Sequence, residues 1–112
     1  MENENKKMTE LVRRFREDIL IIEGERTPLN FKQANADLQS VYAFHLSSRA
    51  NFKSVEYFLK NLYKSFNFAA ATVNDALKRH SMTSEASRNL DECLEAMISC
   101  CDKIVTLLSA GR

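Results

Sequence analysis

The chain has 112 residues, with apolar side chains making up 45% of them and 16 basic residues set against 15 acidic ones, a formal net charge of +1. That length suits one domain, residues 1–112, able to bury a core without metal or disulfide staples. Balanced charge gives no global pull toward nucleic acid or acidic lipid, and two Gly and one Pro exclude Gly-rich phosphate loops and argue against an all-β fold, whose turns need these residues.

Residues 1–6 read as a polar lead-in. Helix 1 is expected over about 7–23, with Met8, Val12, Phe15, Ile19 and Ile22 as a seam at steps of three and four and Leu11 widening it. Leu20 and Ile21 make the end of this helix apolar most of the way round, which predicts burial. Gly24 is a natural stop. Thr27 and Pro28 then restart the chain as N-cap and first helical residue. The short connection predicts antiparallel neighbours.

From Phe31 to Ala76 the apolar phase runs on through Ala34, Leu38, Val41, His45, Ser48, Phe52, Val55, Leu59, Leu62, Phe66, Ala69 and Val73, with no Gly or Pro in between. Two readings fit. Ser47, Ser48 and Asn51 can end a helix over 28–47 and open another over 51–79. Alternatively the unbroken phase marks one helix over about 29–79, roughly 75 Å long, within an elongated three-helix dimer. The last turn before His80 is basic, which suits the negative end of the dipole. Ser81, Thr83 or Ser84 caps a final helix over 83–109, whose seam is Leu90, Leu94, Met97, Cys101, Ile104 and Leu108. The expected fold is therefore all-α, an antiparallel four-helix bundle. Residues 49–80 hold six Lys/Arg and two Asp/Glu, and residues 81–112 hold three and five. Helices 3 and 4 are thus expected to attract each other at their flanks.

Chemistry is hard to place on this pattern. Cys93 and Cys100 share a helix face but stand about 10 Å apart, too far to hold one ion, and no His lies within a turn of either. No metal and no cofactor is expected. An odd number of cysteines rules out complete pairing within one chain and points to a reducing compartment, cytoplasmic or nuclear. No apolar run nears the roughly 20 residues that span a bilayer. His45 reads as a hydrogen-bonded histidine in the seam, without a nucleophile or carboxylate to make it catalytic. Arg79-His80-Ser81 loosely fits a basic-directed kinase site. No elbow, dyad or Gly-rich turn is present, so no enzyme and no small-molecule substrate is expected.

The functional lead is aromatic. Eight of the ten Phe and Tyr residues lie between Tyr42 and Phe68. At 100° per residue, about one turn in 3.6, Tyr57 and Phe68 fall opposite the seam of helix 3, beside a basic stripe of Arg49, Lys53, Lys60, Lys64 and Lys78. Either helix 3 is central and buries this second face against helix 1, or the face meets a partner. The second reading describes a protein–protein interaction or assembly module of the adaptor or scaffold type, which binds a partner helix or self-associates through Arg49, Lys53, Tyr57, Lys60, Lys64 and Phe68. A different class, a peripheral binder of anionic lipid or nucleic acid, would use Arg49, Lys53, Lys60 and Lys64, although single-strand binders usually combine a larger basic excess with stacking platforms.

Overall fold

The computed structural model describes residues 2–48 and 52–110. Four helices follow one another: α1 (Glu2–Gly24), α2 (Pro28–Ser47), α3 (Glu56–Arg79) and α4 (Ser84–Ala110). Each runs antiparallel to the one before, and α4 returns alongside α1. Arg16 meets Asp102, and Arg26, just past α1, meets Asp91. The ring of helix pairs is uneven. The α1 backbone lies close to those of α2 and α4, and that of α3 close to α4, whereas α2 and α3 stand farther apart and meet through large side chains, Phe31 with Phe66 and Tyr42 with Tyr63. The result measures 47 × 20 × 20 Å.

The seams fall where the periodicity places them. Met8, Val12, Phe15, Ile19 and Ile22 of α1 are fully buried, as are Leu90, Leu94, Met97, Cys101 and Ile104 of α4. Phe66 of α3 joins the layers, its ring 5.8 Å from Phe15 and 6.0 Å from Phe31. Thr27 caps α2 as expected: its extended backbone sets Oγ1 to accept the Asn30 N–H at 3.2 Å, with Pro28 as the first residue of the helix.

The long rod over 29–79 is overturned. Ser48 is extended, at φ −71° and ψ 144°, and its hydroxyl donates to the Glu4 carboxylate of α1. The apolar phase survives because Phe52 and Val55 stay buried while the backbone turns between them, Val55 N–H bonding to Phe52 C=O at 3.0 Å. Hydrophobic plugging of a turn thus mimics helical continuity, and α3 starts at Glu56 rather than 51. Asn51 lies outside the described residues.

Three smaller expectations change. The polar segment 2–6 is already helical, with Asn3 and Lys6 exposed and Glu4 and Asn5 half-buried. Leu20 and Ile21 are not buried but 39% and 54% exposed, because only α2 and α4 flank α1 and neither covers its outer side. The acidic residues of α4 do not reach α3. Asp102 and Asp91 bond Arg16 and Arg26 instead, and no ion pair joins α3 to α4 among the described residues.

Candidate functional site

The helix that carries the aromatic and basic pattern has a complete inner face. Leu59, Leu62, Phe66, Ala69 and Val73 are all buried. Side chains half a turn away cannot reach that core. Tyr57 is 70% exposed and Phe68 53%. They lie within about 20° of each other around the axis and roughly 17 Å apart along it, with Lys60 and Lys64 in the same wedge. A second buried face on α3, packed against α1, is therefore excluded. α1 lies diagonally across the bundle and meets α3 through the core.

The basic stripe is thinner than its sequence suggests. Lys60 Nζ lies 3.3 Å from Glu56 Oε1, an i,i+4 pair along the helix, and Arg79, outside the stripe, pairs in the same way with Asp75 at 3.6 Å. Lys64 is exposed, with no ion-pair partner among the described residues. Lys53 is exposed in the turn before α3. Arg49 lies outside the described residues. The Tyr57 ring stands edge-on to half-buried Phe58, centroids 5.3 Å apart. Phe68 walls a depression of about 290 Å³ with Thr72, Ala76, Met82 and Ala86, where α3 meets the start of α4.

Two features escaped the sequence reading. The first is a cleft of about 210 Å³ between α2 and α3, lined by Leu38, Gln39, Tyr42, Tyr63 and Asn67. Tyr42 and Tyr63 meet edge to face at 5.2 Å. His45, expected as a hydrogen-bonded seam residue, is half-buried with Nδ1 3.2 Å from the Tyr63 hydroxyl. Burial, aided by the neighbouring Tyr42, pushes the Tyr63 phenol up to about 12, so it stays neutral and hydrogen-bonding. The crowding of aromatics from Tyr42 to Tyr63 was the available signal.

The second is a pair of carboxyls in the α1–α2 seam. Asp18 and Asp37 are each only 9% exposed. Desolvation first, then a hydrogen bond and charge repulsion from Asp37, push Asp18 up to about 7, with Arg14 opposing and Glu17 assisting. A protonated Asp18 donates to Asp37, and Asp18 Oδ2 has no partner among the described residues. No sequence signal marked this pair, since an aspartate beside an apolar seam is ordinarily solvated.

The cysteines suit packing better than reaction. Cys93 Sγ donates to the Ser65 carbonyl at 3.0 Å. Burial raises all three thiols, Cys101 to about 12, so each holds its proton at neutral pH and is a weak nucleophile. No cluster of three or more potential metal ligands occurs among the described residues. Ser81 does not cap α4. That role falls to Thr83, whose Oγ1 accepts the Ala86 N–H at 3.0 Å, so a phosphate on Ser81 would sit outside the capping position. No helix is long and apolar enough to cross a membrane. Compared with protein-family models, curated proteins and solved structures, the chain matches none.

Proposed function

We propose that the chain is a non-enzymatic protein–protein interaction module of the adaptor or scaffold type, working in a reducing intracellular compartment. It binds a partner helix or a second copy through the outward face of α3. The observation that carries this reading is the exposure of Tyr57 and Phe68 on a helix whose core face is already complete. Large aromatics left in water on a helix match the make-up of interface anchors, and Lys60 and Lys64 beside them would form part of a polar rim. The depression beside Phe68 offers a partner side chain a place to lodge.

The anionic-surface alternative loses ground, because Lys60, one of its cations, is shared with Glu56. The test places a photo-crosslinking residue at position 57 or 68 in cells, with position 95 on the exposed acidic side of α4 as control. A discrete adduct from 57 and 68 but not from 95 is expected. The double variant Tyr57→Ser, Phe68→Ser should keep its stability within about 0.5 kcal/mol and lose the adduct formed from a crosslinker at Lys64. A folded double variant with the adduct intact sinks the reading.

A further inference from the structure

We infer that Ser81 is a phosphorylation site whose phosphate is received by Arg26 and His80 at one end of the bundle. The site is independent of how the outward face of α3 meets a partner.

The acceptor is presented by the turn between α3 and α4. Residues 81–83 are non-helical, Ser81 is exposed, and its hydroxyl makes no hydrogen bond among the described residues. Lys78 and Arg79, both exposed, precede it by three and two residues, a charge pattern by which basic-directed kinases choose a serine. To enter such an enzyme in extended form, the last turn of α3 must open. That turn is closed by the His80 N–H on the Leu77 carbonyl at 3.3 Å and the Ser81 N–H on the Ala76 carbonyl at 3.1 Å. Both bonds lie at an exposed helix end where His80 is left-handed at φ 57°, so opening releases backbone strain. Thr9 follows Lys6 and Lys7 at the same spacing, but it is half-buried within α1 and has no such turn beside it. In the transfer, Ser81 Oγ bonds to the γ-phosphorus of a nucleoside triphosphate. The bond from that phosphorus to the departing nucleoside diphosphate breaks, and the hydroxyl proton passes to the kinase.

Cations stand ready beside the acceptor. Ser81 lines two depressions. One, of about 380 Å³, also has Arg26 and His80 on its wall, with Leu77 and Met82. The other, beside Phe68, has Arg79. A phosphate on Oγ carries about two negative charges and three acceptor oxygens. Arg26 now bonds Asp91, and Arg79 bonds Asp75. A dianion attracts a guanidinium more strongly than a single carboxylate does, and a protonated His80 adds to the attraction. Arg26 lies between α1 and α2, and Ser81 between α3 and α4. The phosphate therefore pins one hairpin turn to the other.

The test incubates the full chain with magnesium, ATP and the catalytic subunit of cyclic-AMP-dependent protein kinase, and locates the phosphate by tandem mass spectrometry. Phosphate is expected on Ser81 and not on Thr9, and Ser81→Ala should take up none. In phosphorus NMR the phosphoserine of the folded chain should titrate at least about 0.5 pH unit below that of the same chain unfolded in urea, because neighbouring cations favour the dianion. Arg26→Gln and His80→Gln, each shown to be folded by circular dichroism, should each move the midpoint back toward the unfolded value. Where Arg26→Gln does not fold, His80→Gln alone decides. A native chain left unmodified at Ser81, or modified at Thr9 in preference, overturns the acceptor. A folded midpoint equal to the unfolded one, or one that neither substitution moves, overturns the receiving role of Arg26 and His80.

Discussion

Asp18 and Asp37 sit in a seam that apolar side chains would stabilise better. Their effect runs in a definite direction with pH. In the unfolded chain Asp18 releases its proton near pH 4, while in the folded protein it holds it to about 7. Below about pH 4 both states carry the proton, and the folded pair has its full stability. From about 4 to about 7 the unfolded state binds fewer protons, so stability falls as pH rises. Above 7 two carboxylates face each other beneath the surface. Asp18→Asn keeps a donor toward Asp37 at every pH. Its melting temperature should be nearly flat between pH 5 and 8, where that of the parent declines. At pH 8 the variant should be more stable by about 1–2 kcal/mol, less than the whole shift implies, because the pair lies close enough to solvent to be screened. Thermal unfolding across pH checks both; a parent protein with no decline would remove the protonated pair. Residue by residue, the sequence spoke clearly for apolar positions and poorly for these two. A step of three or four locates Phe15, Ile19 and Ile22 because burial is their only good outcome. An aspartate has a better outcome in water, and nothing local reveals that α2 will cover it.

Helix boundaries show the same divide. Thr27-Pro28 was legible because a cap and a fixed φ act within four residues. The start of α3 was not. Val55 precedes it without a side-chain cap, and Phe52 and Val55 are held by contacts far away in the chain, so the local text keeps the phase of a helix. The start of α1 at Glu2 likewise carries no apolar signal. The end of α3 shows what a boundary costs when the residue suits it badly. His80 takes the left-handed conformation at φ 57°, where a β-carbon crowds the carbonyl, and its N–H closes the helix onto the Leu77 carbonyl at 3.3 Å. Gly has no such crowding. His80→Gly should therefore raise stability by about 1 kcal/mol, read as a higher midpoint in urea with an unchanged slope; a lower midpoint would show that the exposed imidazole makes contacts outweighing the strain.

Across the whole molecule, charge is divided by side. The outer surfaces of α2 and α3 carry exposed lysines, and α4 carries Glu85, Glu92 and Glu95, all exposed, together with the acids that hold Arg16 and Arg26. The contrast between α3 and α4 was legible from residues 49–80 set against 81–112. Its consequence was misread, since the opposite charges face outward or toward α1 rather than toward each other. The candidate surface was legible to the same extent. Tyr57 and Phe68 could be placed on the outer side of α3 by counting, but the α2–α3 cleft depends on how far two helices stand apart, and no spacing rule encodes that distance. With a Cα radius of gyration of 14.6 Å, the single chain is only slightly more extended than the ~13 Å of a compact domain of this length, as an elongated bundle should be.

With the α2 and α3 backbones farther apart than the other neighbours, the protein is two hairpins joined like facing pages, with α1 and α4 as the spine. Severing the covalent link between residues 48 and 52 therefore leaves the closest packing between the halves in place, because that packing lies between α1 and α4. Polypeptides 2–48 and 52–110, each weakly helical alone, should regain the helical circular dichroism of the intact chain when mixed in equal amounts, with a midpoint that rises with concentration as any two-body assembly must. A mixture whose spectrum stays the sum of its parts would show that the connector, and not the α1–α4 spine, holds the pages together.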